Sequence, residues 1–119
     1  MVNTQVFEGL KIADFSWYAV GPWATKYFGD YGATVVRIES SLHIDGHRST
    51  PPFKDAKPGV NRSAAWALGN NNKYGVTLNL RHPRGLEIAK KFITWADIMI
   101  ENFTPGTMKK LGLDYKSAK

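Results

Sequence analysis

At 119 residues the chain is long enough for one small domain with a modest core and short for a complete enzyme of most α/β classes. Its 43% hydrophobic, 13% aromatic and 22% charged residues are those of a folded protein, and the absence of cysteine excludes disulfides, thiolate catalysis and cysteine-rich zinc sites. The net charge of +6 is uneven: residues 1–72 hold seven Lys/Arg against six Asp/Glu and residues 73–119 nine against four, so the second part favours an anionic partner.

The N-terminal MVNTQVFEGL lacks a basic region followed by an apolar core. No apolar stretch approaches the roughly 18 residues needed to span a bilayer. A soluble, cytoplasmic protein without a membrane partner is therefore expected. Residues 11–16 (KIADFS) read as a short buried strand, after which Gly21-Pro22 opens a helix, since a proline in the first turn forfeits no hydrogen bond. Trp23, Ala24, Tyr27, Phe28 and Tyr31 recur at three- and four-residue spacing and give that helix an apolar face, with Gly32 as its terminator. A second strand follows in residues 34–39 (TVVRIE). Residues 40–61 lose the pattern; adjacent prolines, glycines and mixed charges predict a long irregular surface loop, a length usually functional or mobile. A helical turn at 63–68, a turn at Asn70-Asn71-Asn72 and a strand over 75–80 (GVTLNL) come next. His82-Pro83 begins the clearest helix, with Leu86, Ala89, Ile93 and Ala96 on one stripe and Ile88, Phe92 and Trp95 beside it. Residues 97–101 form the last strand, and Pro105 opens a short helix through Leu111 that ends at Gly112. Strands alternating with helices predict an α/β layered parallel sheet with right-handed crossovers.

In such a sheet ligands collect beyond the carboxyl ends of the strands, where helix N-termini present unpaired N–H groups. Three corners qualify: residues 16–22, 78–83 and 101–106. Asn102 can hydrogen-bond a purine edge or a phosphate oxygen, Phe103 can stack on a base, and Arg81, Lys109 and Lys110 can neutralise phosphate. Each has a plainer use as well, Asn102 as a cap or turn residue, Phe103 as core and the lysines as a solvated helix face. Convergence on one sheet edge is what favours a site. His43 and His47 with Asp45 between them lack an evident third ligand, so a metal is not expected. The segment Gly29 to Gly32 has neither the glycine spacing nor the following Lys-Ser/Thr of a phosphate loop. Asp14 and Asp97 could be buried carboxylates with raised pKa, although capping or terminating an element is the commoner use.

Three stretches, GLKIADFSWYAVGPWATKYFGDYGATVVRIES, NNNKYGVTLNLRHPRGLEIAKKF and ADIMIENFTPGTMKKLGLDY, carry a likeness that spans residues 9–115. In their G-P-x-A-T helix start, their N-x-N-K turn and the closing ADIMIENFTPGTMKKLG they resemble the N-terminal part of the family III CoA-transferases, which include formyl-CoA transferase and the CaiB/BaiF proteins. The resemblance implies a Rossmann-like layered parallel sheet with flanking helices, residues 1–119 forming the CoA-nucleotide-binding portion. It implies that CoA contacts fall on Ala19 and Val20, on Leu78, Asn79, Leu80 and Arg81, on Asn102, Phe103 and Thr104, and on Lys110, where the family commonly has an arginine. A lysine there keeps the charge and loses the bidentate fork. Ser40 stands where some members place a nucleotide-contacting arginine, and Ala19 where formyl-CoA transferase has glutamine.

The resemblance further implies a transferase that moves CoA between an acyl-CoA thioester and a carboxylic acid through an aspartyl intermediate, with coenzyme A as substrate and no tightly bound cofactor. The family's aspartate and glycine-rich loop fall downstream of the matched motifs, so no catalytic residue is expected here and the isolated chain should bind CoA weakly or not at all and not turn over. Family members are several times longer and form interlocked homodimers, which makes an N-terminal piece the expectation. An α-methylacyl-CoA racemase-like fragment and a non-catalytic partner subunit of a split transferase are the alternatives. A nucleic-acid partner is not expected, because the basic residues are not interleaved with several exposed aromatics.

Overall fold

The computed structural model describes residues 4–118. Strands β1 (Lys11–Asp14), β2 (Thr34–Glu39), β3 (Tyr74–Thr77) and β4 (Ile98–Ile100) form one parallel sheet in the order β3-β2-β1-β4. The register sets Ile12 beside Val35 on one side and beside Ile98 on the other. The parallel α/β architecture expected from the sequence is thus present. Helix α1 (Val20–Asp30) links β1 to β2, a long loop and α2 (Ala64–Asn70) link β2 to β3, and α3 (Pro83–Trp95) carries the chain back to the far side of β1. The strand order therefore reverses between β1 and β4, which opens a crevice beyond their carboxyl ends. Short helices α4 (Thr107–Lys110) and α5 (Tyr115–Ala118) follow.

The central strand is buried on both faces, as a parallel sheet covered by helices demands. Ile12 packs with Ala33 and Val35 and with Phe7, Phe28 and Ile98; the alternate residues Ala13 and Phe15 pack with Ile38, Ala89, Met108 and Leu113 under α3 and α4. Local chemistry fixes the helix ends. The Ser63 hydroxyl accepts from the Trp66 N–H at 3.1 Å and caps α2, and His82 accepts from the Arg84 N–H at 3.2 Å ahead of Pro83. Gly32 takes φ +103°, a left-handed turn that lets the Ala33 N–H reach Phe28 O at 2.9 Å and ends the α1 segment.

Three expectations are corrected. Of the aromatic stripe expected on α1 only Phe28 packs on the core: Trp23, Tyr27 and Tyr31 are 42%, 57% and 56% exposed, and the buried face is Gly21, Pro22 and Thr25. Close approach explains the choice, because a Cβ on Gly21 would lie 2.2 Å from Ser16 Cβ, leaving no room for large side chains against the β1 corner. Strand β3 is shorter and shifted, ending at Thr77; the Leu78 N–H still donates to Glu39 O at 2.9 Å, and the chain turns away after it. The last predicted helix begins at Thr107 rather than Pro105, after Gly106 at φ +88°.

The loop over residues 40–61 is irregular yet tied down. Two short 3-10 turns, Gly46–Ser49 and Lys54–Ala56, interrupt it. Its anchor is Asp45, fully buried, whose carboxylate pairs with the Arg37 guanidinium and accepts from the N–H groups of Tyr18 and His47. Arg48 reaches Glu39 through two hydrogen bonds of 2.6 and 2.9 Å and lies 3.6 Å over the Trp66 ring. Asp45, one of the three residues weighed as a metal cluster, is thus committed to a guanidinium and two amides.

Candidate functional site

At the crevice between β1 and β4 the Asn102 carboxamide joins the two strand ends. Its Oδ1 accepts from the Trp17 N–H at 2.8 Å, and its Nδ2 donates to Trp17 O at 2.9 Å. A side chain expected as a ligand contact is therefore engaged by backbone, and its effect is to fix the position of the Trp17 segment. The Trp17 and Phe103 rings meet edge to face at 5.7 Å across the same junction.

Beside this junction lies a cavity of about 430 Å³. Phe15, Ile38, Leu78, Leu80 and Leu111 give it an apolar lining, Trp17 and Phe103 an aromatic one, and Asn79, Arg81, Thr107 and Lys110 with Glu39, Ser40 and His43 its polar groups. Six of the ten residues singled out from the sequence, Leu78, Asn79, Leu80, Arg81, Phe103 and Lys110, thus come together around one hollow. The other four do not line it. Ala19 and Val20 sit at the start of α1, with Val20 80% exposed; Asn102 is held by Trp17; and Thr104 contacts the Thr107 hydroxyl at 3.0 Å and borders a different hollow of about 840 Å³ along β4.

The wall carrying Leu78 to Arg81 is set by two local interactions. Asn79 Oδ1 accepts from the Arg81 N–H at 3.0 Å, and Asn79 O accepts from the His82 N–H at 3.0 Å, so the strand-to-helix link folds back on itself. Gly85 lets α3 press on that link, since a Cβ there would stand 2.0 Å from Asn79 O. Across the hollow the Glu39 carboxyl is pushed up by burial, but hydrogen bonds from Arg48 and the Asp45 N–H and the charge of Arg37 outweigh that and hold it below its ordinary value. It stays ionised and is taken up by Arg37, Arg48 and the Asp45 N–H. Arg81 and Lys110 have no such counterpart: no hydrogen bond, ion pair or ring contact among the described residues engages either side chain.

Sequence reasoning missed Trp17 and Phe15 at the carboxyl end of β1; the aromatic pair in ADFSW was the available signal. It also missed what lies behind the corner. Asp14, fully buried, accepts from the Ser16 N–H at 2.9 Å, from the Ser16 and Thr25 hydroxyls, and from Lys73 Nζ at 3.1 Å. It is a buried, paired carboxylate and not a cap; Asp97 does take the terminating role, accepting from the Lys11 N–H at 2.9 Å. Lys73 also donates to Pro22 O at 2.7 Å, pinning the first turn of α1 to the start of β3. Burial lowers the Lys73 amine to about 8 against the attraction of Asp14.

An open parallel sheet with an apolar and aromatic hollow at its switch point, flanked by uncompensated cations, has a match among known families: residues 7–119 fit the model described as CoA-transferase family III. The chain belongs to that family. It is 36% identical over 111 residues to the mouse succinyl-CoA:glutarate CoA-transferase, covering 92% of this chain and 24% of the mouse protein. It is 35% identical over 108 residues to the alpha subunit of the Chloroflexus aurantiacus succinyl-CoA–L-malate CoA-transferase, covering 91% and 24%. A CaiB/BaiF family protein from Brucella suis superposes with a TM-score of 0.84 at 34% identity, covering 98% of this chain and 31% of that one. The family III chain thus spans about a quarter of the length of the curated relatives it matches, and its fold is that of the family's N-terminal part.

Proposed function

We propose that this chain supplies the nucleotide grip of a family III CoA-transferase acting on an acyl-CoA and a carboxylic acid. The supporting observation is the hollow at the β1/β4 crevice, where Phe103 and Trp17 offer aromatic surface and Arg81 and Lys110 offer charge that is not paired to Glu39, the carboxylate of the lining, which is held by Arg37 and Arg48. An adenine ring and phosphates match that combination. Coenzyme A enters as substrate, with no tightly bound cofactor; Asn102 acts by fixing Trp17, and Ala19 and Val20 at the start of α1 and Thr104 in the neighbouring hollow are left to parts of the CoA molecule outside this cavity.

In the reaction so proposed, an aspartate carboxylate attacks the thioester carbonyl and displaces CoA thiolate, leaving a mixed anhydride. The thiolate then attacks the aspartyl carbonyl, freeing the first acid and forming an aspartyl thioester, and the incoming carboxylate repeats both steps in reverse. The nucleophile comes from outside these 119 residues. No aspartate lines the hollow, and the two fully buried ones, Asp14 and Asp45, are closed off by Lys73 and Arg37. The chain's own part is remote binding energy that holds the thioester at the reacting centre.

The test is an amide NMR titration with CoA, which detects millimolar binding. Shifts should cluster on Leu78 to Arg81, Phe103 and Lys110, and Arg81→Ala with Lys110→Ala should weaken them about tenfold or more, given that charge-assisted contacts are worth roughly 1.5–3 kcal/mol each. Shifts confined to other surfaces would overturn the assignment, as would transferase turnover by these residues alone. A subunit of a heteromeric transferase is a second reading, favoured by the alpha-subunit naming of the Chloroflexus relative.

A further inference from the structure

The buried ion network and the hollow share a wall, and a count of charge along it leaves one group unexplained. On the loop side Arg37 and Arg48 are matched by Glu39 and Asp45, so that wall is neutral. Beyond it, immediately after Glu39, the chain turns tightly: the Ser40 hydroxyl accepts from the Leu42 N–H at 3.2 Å, and the His43 N–H donates to Ser40 O at 3.1 Å. This turn sets Ser40 and His43 side by side as an isolated antiparallel bridge, and both line the cavity that holds Arg81 and Lys110. Ser40 brings a hydroxyl and no charge. The His43 ring has no hydrogen bond, ion pair or ring contact among the described residues, unlike His47, whose Nδ1 meets Tyr18 O at 3.0 Å, and His82, which caps α3.

From this placement we propose that His43 is a phosphate ligand of the hollow whose protonated ring joins Arg81 and Lys110 on a phosphate ester, making nucleotide affinity rise as pH falls. The proposal rests on the CoA reading above. Imidazole is the side chain whose charge ordinarily changes between pH 5 and 8, and a doubly donating imidazolium beside two fixed cations adds the charge and the donor that Ser40 does not provide. The charged groups that line the cavity with His43 are Glu39 from the end of β2, Arg81 from the link before α3 and Lys110 from α4. Glu39 is already bound by two arginines, so the group left to draw a proton onto the ring is the bound phosphate itself. By linkage, an anion that favours the protonated ring must bind more tightly where the ring is protonated.

The experiment measures dissociation constants for CoA and dephospho-CoA at pH 6.0 and 8.0, at fixed ionic strength, on the whole chain and on His43→Gln and His43→Arg. Comparing variants with one ligand at one pH cancels the ligand's own titration, including that of the phosphomonoester near pH 6. The wild-type advantage over H43Q should be about three- to tenfold at pH 6.0, as for a single charge-assisted contact, and should shrink toward pH 8.0. H43R, with a permanent cation, should keep the advantage at both. If dephospho-CoA shows the same advantage, the ring meets the diphosphate; if only CoA does, it meets the 3′-phosphate. Equal affinities of wild type and H43Q at pH 6.0 for both ligands would overturn the proposal while leaving the CoA site standing. Absence of any CoA-induced shift at Asn79 or Phe103 would overturn both together.

Discussion

Asp14 and Lys73 are the pair on which the corner at the end of β1 depends, because both are withdrawn from water and each satisfies the other. The two side chains are 0% and 2% exposed. Removing one partner of such a pair leaves a buried charge, at a cost of about 3–5 kcal/mol. The two removals are unequal here. Lys73→Met strands a fully buried carboxylate without its cation, whereas Asp14→Asn strands an amine that burial already lowers to about 8 and that can shed its proton. Urea denaturation at pH 7.5 should show Lys73→Met as the more damaging change. A larger loss for Asp14→Asn would mean that the hydrogen bonds to Ser16 and Thr25, and not the ion pair, hold the corner.

At the scale of elements, how closely α3 can sit on the link before it decides the shape of the hollow. Gly85 is buried where a Cβ would meet Asn79 O at 2.0 Å, while Gly75 on the edge strand β3 has nothing within 4 Å of an added Cβ. Gly85→Ala should therefore cost roughly 1–3 kcal/mol by overpacking, despite the roughly 1 kcal/mol that alanine gains in helix propensity. It should also shift Leu78 to Arg81 and weaken CoA binding. Gly75→Ala should stay within about 0.5 kcal/mol. Thermal melts of the two variants compare them directly, and equal losses would deny α3 this role.

The same elements show why the sequence was readable in part. Periodicity located β2 to the residue, Gly21-Pro22 fell within the first turn of α1, and His82-Pro83 marked the start of α3, because those signals are local. The buried side of α1 was not readable that way: a helix pressed on a strand corner selects small residues, Gly21 and Thr25, and leaves Trp23 and Tyr27 outside while Phe28 alone of its large aromatics packs on the core. Pairings such as Asp14 with Lys73 or Asn102 with Trp17 lie 59 and 85 residues apart and leave no periodic trace. Four of the ten expected contacts fell outside the hollow for a related reason: adjacency in sequence to a strand end does not say which way the following side chain turns.

For the molecule as a whole, the radius of gyration of 15.0 Å exceeds the roughly 13.5 Å of a compact domain of this length, and the extents of 46 × 45 × 23 Å describe a slab. Much apolar surface, including Trp23, Tyr27 and Tyr74, stays in contact with solvent. No helix among the described residues is long and apolar enough to cross a membrane. Global stability should carry the signature of Lys73. Its folded value of about 8 lies below the 10.5 of a free lysine, so between those limits the unfolded chain binds more protons, and stability rises with pH across the window. Denaturation midpoints from pH 8 to 10 should climb for wild type relative to Lys73→Met; parallel curves would remove the assignment.

The carboxamide stitch between positions 17 and 102 also has a consequence for biogenesis. A nascent chain that has not yet delivered residue 102 has no berth beside Phe103, however well β1, β2 and β3 have formed. Any small molecule lodged there selects copies in which β1 and β4 have met, and so rewards completed folding by mass action.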